Sequence, residues 1–178
     1  MTLTRAVWGY IDNRDRRVML RMQCWRAPRW IRLWMTYATR LGDGWVWYSL
    51  GLMLLVFGGA SRFAALGSGA LASLASIFLF RSLNNMSRRN RPCEIEPHCW
   101  SRILPPDQFS FPSGHSMTAF AIAGAIGTFY PHLQAPLYFL ATSIALSRIV
   151  VGMHFLSDIV AGSAIGALLG YGSVQLFH

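Results

Sequence analysis

Long apolar runs separated by short polar ones set the pattern of this chain. Trp45 to Ser61, Phe63 to Phe80, Ser116 to Ser147 and Ile159 to Phe177 contain no Asp, Glu, Lys or Arg. A bilayer core needs roughly 20 predominantly apolar residues per helix, with about 17 as the lower limit, so these runs predict membrane spans. The longest is interrupted at Tyr130, Pro131, His132 and Pro136, where two prolines would end one helix and start another, which brings the expected number of spans to five. Small residues such as Gly67, Gly69, Ala70, Ala72 and Ser73 in the second run, and Ala161, Gly162, Gly166 and Gly170 in the last, allow close helix contact. The predicted fold is therefore all-α: a polytopic membrane helix bundle of about five transmembrane helices, forming a single domain over 1–178.

The first 43 residues break this pattern. They carry nine arginines, interleaved with Trp8, Trp25, Trp30 and Trp34. Arg29, Arg32, Thr36 and Arg40 recur at spacings of three and four, while Trp30, Ile31, Trp34, Tyr37 and Leu41 fall mostly on the other side of the same helix. This predicts interfacial amphipathic helices over 1–43, with residues 44–178 forming the bundle. No apolar stretch followed by a small-residue cleavage site marks a signal peptide, so the segment is expected to stay attached. Most of the net charge of +9 lies here, and it favours anionic lipid headgroups as partners over nucleic acid.

The only sizeable polar segment within the bundle is Leu83 to Phe111, which runs into Phe111-Pro112-Ser113-Gly114-His115-Ser116 at the start of the third run. Ser113 can cap a helix there, and the unpaired N–H groups and positive dipole end suit an anion such as phosphate. A Pro-Ser-Gly turn before a helix is also an ordinary structural feature. A second polar cluster lies near the start of the last run: Ser147, Arg148, His154 and Asp158. If His154 and Asp158 share a helix, their spacing of four puts them on one face, where a carboxylate can fix the imidazole tautomer and free the other lone pair. The competing reading is a His–Asp pair that merely satisfies two polar groups. Five crossings put both clusters on the same membrane face, where Arg89, Arg91 and Arg148 supply forked donors for phosphate oxygens.

These segments resemble the signature motifs of the type 2 phosphatidic acid phosphatase and vanadium haloperoxidase superfamily. The family's first motif is a Lys, six residues, then Arg-Pro; here Arg91-Pro92 fits and Asn84 stands where the Lys would be. Pro112-Ser113-Gly114-His115 matches the second motif in full. Ser147-Arg148, five residues, His154, three residues and Asp158 match the third.

The resemblance implies a metal-free lipid phosphatase without cofactor, of the phosphatidylglycerophosphatase B or undecaprenyl-diphosphatase kind. In that scheme His154 is the nucleophile that becomes phosphohistidine, Asp158 orients it, and His115 is the general acid. Arg91, Arg148, Ser113 and the Gly114 amide form the phosphate cradle. Asn84 and Arg89 are further phosphate-binding candidates, with Arg88 or Arg89 able to replace the missing Lys charge, and Arg81 another candidate that fits snorkelling at the span end better.

Substrates of this class include undecaprenyl diphosphate, phosphatidate, phosphatidylglycerol phosphate and a lipid A phosphate. Two other functions fit the same residues: phosphoryl transfer from lipid to lipid, and phospholipid binding without turnover. The membrane spans and small size disfavour the haloperoxidase branch. The expected location is a bacterial inner membrane. The resemblance favours a periplasm-facing site, whereas the arginine-rich N-terminus on the same face favours the cytoplasmic side. Cys24, Cys93 and Cys99 leave an odd count; Cys93 and Cys99 could pair in an oxidising compartment, and a zinc site including His98 would have poor ligand spacing.

Overall fold

A computed structural model describes residues 3–25, 27–95 and 108–177. Eight α-helices are found among them: α1 Leu3–Cys24, α2 Arg29–Leu41, α3 Trp45–Phe57, α4 Arg62–Ser87, α5 Pro92–Ile95, α6 Gly114–Phe129, α7 Pro131–Val150 and α8 Leu156–Val174. The described residues contain no strand, in keeping with the all-α expectation.

Helix α6 is the axis of the bundle, and α4, α7 and α8 pack around it. Its residues from Ala121 to Gly127 are all buried, so it is enclosed by protein on every side. The contact with α8 depends on glycine. A Cβ on Gly162 would lie 2.6 Å from Ser113 O, and one on Gly166 would run into Met117 O, so only hydrogen at these positions lets the two backbones meet. Leu54, Ile122, Ile126, Leu137 and Ile144 fill the contact among α3, α6 and α7. Across α4 and α8, the buried Ser68 and Ser173 hydroxyls share a 2.8 Å hydrogen bond. Outward-facing positions are apolar as well, with Phe57 82%, Phe78 75% and Leu168 74% exposed. Hydrophobic surface of this extent fits lipid as the surrounding solvent.

Among the described residues three helices, α4, α7 and α8, are long and apolar enough to cross a membrane; α3, at 13 residues, and α6, at 16, are shorter. The predicted run from Trp45 to Ser61 ends as a helix at Phe57, and Gly58 leads into a short 3₁₀ turn, Gly59–Ser61. The second run is extended, because α4 continues past Phe80 to Ser87 and takes Arg81 and Asn84 onto the helix. Pro131 opens α7 as expected, but Pro136 lies inside that helix. Being near the N-terminal end, it removes one backbone bond without ending the helix.

The N-terminal helices lie against the bundle. The α2 arginines Arg29, Arg32 and Arg40 are exposed, and so are Trp30, Trp34 and Tyr37. A third face of α2, carrying Ala38 and Thr39, is buried, and the helix packs on α7. Helix α1 touches α7 and α8 and buries Asp15 and Met19. The Cys93–Cys99 question rests on Cys99, which lies outside the described residues, as does the His98 zinc alternative.

Candidate active site

The end of α4, the start of α6, the end of α7 and the start of α8 meet at one end of the bundle. Two backbone contacts fix their register. Ser113 N–H donates to Asp158 O at 3.0 Å, tying the start of α6 to α8, and Ser110 N–H donates to Arg89 O at 2.8 Å, closing the polar loop.

His154 lies in the connection between α7 and α8. Gly152 adopts φ 75°, a left-handed conformation that glycine takes without a Cβ penalty, and the turn brings the Met153 and His154 amides onto Arg148 O at 3.0 and 3.2 Å. The imidazole is buried, and its Nδ1 lies 2.7 Å from Ser110 O. A carbonyl can only accept, so Nδ1 carries the proton and Nε2 the lone pair. Arg91 Nη1 is 3.4 Å from that Nε2 and donates to Met153 O at 3.1 Å. Burial, together with the Arg148 and Arg91 charges, holds the His154 imidazole below the ordinary histidine range against the opposing pull of Asp158. A neutral ring with a free lone pair beside a guanidinium is a nucleophile poised for an anionic group.

The His154–Asp158 pair differs from the sequence expectation. Helix α8 starts at Leu156, with Phe155 as its N-cap, so His154 lies before the helix and the two residues do not share a helical face. Asp158 Oδ2 accepts the Phe155 N–H at 2.8 Å and is 3.7 Å from His154 Nδ1, too long for a hydrogen bond. The Ser110 carbonyl therefore fixes the tautomer, and Asp158 acts on the ring through its charge.

Ser113 caps α6 and is fully buried; its Oγ accepts from Ser116 Oγ at 3.0 Å. Next to it, Gly114 begins the helix so close to α4 that a Cβ would sit 3.1 Å from the Phe80 ring. His115 donates its Nε2–H to Asp43 Oδ1 at 3.1 Å and lies within electrostatic reach of Arg148, His154 and Arg91. Arg148 is buried and donates from Nη1 to Thr39 Oγ1 at 2.8 Å. The structure thus brings His154, His115, Asp158, Arg91, Arg148, Ser113 and Gly114 together.

Asn84 and Arg89 make other contacts than those expected of phosphate ligands. Asn84 Nδ2 donates to Phe109 O at 3.1 Å and Phe111 O at 3.3 Å, and the residue is buried. Its donors hold the loop that carries Ser113 and are already committed to carbonyls. Arg89 donates from Nη1 to Asp158 Oδ1 at 2.7 Å and from Nη2 to Asp12 and Asp15 at 2.8 and 2.7 Å. Burial pulls its basicity down, but the Asp158 and Asp15 carboxylates outweigh that and raise it. Its fork grips carboxylates.

Thr39, Asp43, Asp15 and the Ser110 carbonyl were missed by sequence reasoning. Asp15 had a faint signal as a carboxylate within an arginine-rich helix, and Asp43 as a charge flanked by glycines before a span. A backbone carbonyl has none. His115, Gly114, Asp43 and Arg81 also line a cleft of about 480 Å³ whose walls include Trp47, Tyr48, Ile77, Phe80 and Ile122. No cluster of three potential metal ligands occurs among the described residues.

Known proteins are similar to this chain in sequence and in fold. A decaprenylphosphoryl-5-phosphoribose phosphatase of Mycobacterium tuberculosis is 36% identical over 104 residues, covering 58% of this chain; the match spans 55% of that protein, about half its length. Phosphatidylglycerophosphatase B of Bacillus subtilis is 30% identical over 158 residues, 81% of this chain and 73% of that one. Among solved structures, a transmembrane PAP2-type phosphatidylglycerolphosphate phosphatase from Bacillus subtilis superposes with a TM-score of 0.73 at 23% identity, covering 94% of this chain and 86% of the other. That likeness extends to the fold: a polytopic membrane helix bundle. The profile of the PAP2 superfamily matches residues 63–178, a stretch containing all three motifs, and the chain belongs to that superfamily.

Proposed function

We propose that this chain is an integral-membrane lipid phosphatase that releases phosphate from a lipid phosphate or diphosphate through a phosphohistidine on His154. The observation that carries the reading is the locked His154 tautomer: Nδ1–H donates to Ser110 O at 2.7 Å, leaving the Nε2 lone pair beside Arg91. A structural histidine needs no such free nitrogen facing a cation.

In the first step Nε2 attacks phosphorus and the bond to the lipid oxygen breaks. The proton for that leaving oxygen comes from Nε2 of His115 as imidazolium, which is left as the neutral ring; Asp43 Oδ1 at 3.1 Å and the negative charge of the incoming phosphate favour that form against burial and the neighbouring cations, which oppose it. Positive charge then develops on the His154 ring, and the buried Asp158 carboxylate 3.7 Å away stabilises it. Arg91, Arg148, Ser113 and the Gly114 amide neutralise the equatorial oxygens in the transition state. Water next attacks the phosphohistidine, His115 takes its proton, and phosphate departs.

The cleft beside His115 supports an amphiphilic substrate, because polar groups at one end meet aromatic and aliphatic walls at the other. The exposed arginines and aromatic residues of α2 fit a helix lying at the headgroup level among anionic lipids. The proposed location is a bacterial inner membrane, and the substrate class includes phosphatidylglycerol phosphate, phosphatidate and polyprenyl diphosphates.

The deciding experiment measures phosphate release by detergent-purified protein from a panel of these lipids with a chelator present. Release that His154→Ala abolishes, with acid-labile phosphate trapped on the wild-type protein, supports the reading. Silence from a folded wild type on every lipid overturns it.

A further inference from the structure

The segment before residue 63, which the superfamily profile does not match, sends a buried carboxylate into the site. Asp15, on α1, is only 4% exposed. Its Oδ1 accepts the Ser157 N–H at 3.1 Å, and its Oδ2 accepts from the Ser157 hydroxyl and from Arg89 Nη2 at 2.7 Å. Ser157 is in the first turn of α8, where backbone N–H groups have no partner within the helix, so Asp15 caps α8 from a different element. Asp158 caps the same helix from within, through Phe155 N–H. Arg89 bridges the two carboxylates with its two terminal nitrogens, and its guanidinium lies 4.3 Å from the Phe155 ring centroid.

We propose that Asp15 is a positioning residue for the phosphatase reaction, acting through Arg89 to hold Asp158 against His154. This rests on the phosphatase reading above. The physical reason is competition for the guanidinium fork. Asp15 holds Nη2, so Asp158 receives only Nη1 at Oδ1 and keeps Oδ2 on the Phe155 amide, facing His154. Without the Asp15 charge, the fork is free to close on Asp158 with both nitrogens, as guanidinium and carboxylate prefer. That would draw Oδ2 from the imidazole and neutralise the charge that stabilises the phosphohistidine. Asp12 also touches Nη2, but it is exposed, so solvent screens its hold.

The test compares wild type, Asp15→Asn, Arg89→Gln and the double variant for kcat and KM on the best lipid phosphate, using protein shown to be folded at the assay temperature. Groups that orient a working histidine typically contribute ten- to hundredfold, so Asp15→Asn is expected to lower kcat by about tenfold while KM stays within about twofold. The double variant should be no slower than the slower single, because both act along one relay. A kcat of folded Asp15→Asn within about twofold of wild type, or losses that multiply in the double variant, would overturn the proposal. If Asp15→Asn does not fold, Arg89→Lys takes its place: it keeps the charge but replaces the planar fork with one point donor, so Asp15 and Asp158 no longer sit on separate nitrogens, and a wild-type kcat there overturns the relay. An inactive wild type would overturn the phosphatase reading and this inference with it. An active wild type whose kcat ignores Asp15 would remove the inference alone.

Discussion

Arg148 Nη1 donates a 2.8 Å hydrogen bond to Thr39 Oγ1, joining the Ser147-Arg148 motif to a helix more than one hundred residues earlier. Both side chains are buried, so the arginine proposed for the phosphate cradle is aimed in part by a hydroxyl from the segment that composition marks as a membrane anchor. Thr39→Val keeps the shape and removes the acceptor. A buried hydrogen bond to a charged group contributes about 1.5–3 kcal/mol, so Thr39→Val should lower the melting temperature and reduce kcat/KM by roughly tenfold or more. Thr39→Ser should recover most of both; kinetics and thermal denaturation of the two variants in detergent check this.

Asn84 gives a second expectation. Its amide holds Phe109 O and Phe111 O, directly before Pro112, so its contribution is to the shape of the loop. Asn84→Ala should cost about 1–3 kcal/mol of stability and lower activity by displacing Ser113 and Gly114. Asn84→Lys, which restores the family's residue, should not raise kcat, since the position is buried against carbonyls. Activity above wild type in Asn84→Lys would show that this side chain reaches the phosphate.

The pH dependence follows from His154. Its folded-state basicity is depressed, so it stays neutral below about pH 6.5, where an exposed histidine gains a proton. The nucleophile should remain competent there, and the acid limb of kcat/KM assigned to it should lie below that value. Stability has the same sign logic: below about pH 6.5 the unfolded chain binds a proton at this site that the folded one does not, so stability falls with acidification and is fully present above. His154→Gln should lose less melting temperature than wild type between pH 7.5 and pH 5, two values chosen to straddle about 6.5. Equal losses would deny His154 this role.

Helix contact offers a test independent of activity. A Cβ at Gly166 collides with Met117 O on the central helix, whereas one at Gly172 meets nothing within 4 Å. Gly166→Leu should therefore destabilise the bundle by about 2 kcal/mol or more through backbone displacement, and Gly172→Leu should be tolerated. Thermal denaturation monitored by circular dichroism separates them.

The apolar runs, the helix break at Pro131 and the motif order were legible because they rest on local chemistry. A run without charges must avoid water whatever its neighbours are, and Ser113 before an apolar helix caps it by its own geometry. Boundaries were less legible: α4 runs on to Ser87 because Arg81 and Asn84 cost a helix little at its end, and Pro136 sits early enough in α7 not to end it.

The sequence by itself determined that the chain is a membrane helix bundle carrying the PAP2 motifs, since hydropathy and residue spacing are properties of neighbouring positions. It also identified His154, His115, Arg91 and Arg148 as the chemistry to expect. Only the tertiary structure decided their partners. His154 takes its proton acceptor from a carbonyl at Ser110, Arg89 chooses carboxylates on α1 and α8, and Arg148 chooses Thr39. Hydrogen bonds and ion pairs act over a few ångströms of space, and when the chain brings residues 15, 89 and 158 to one point, no spacing along it records the meeting.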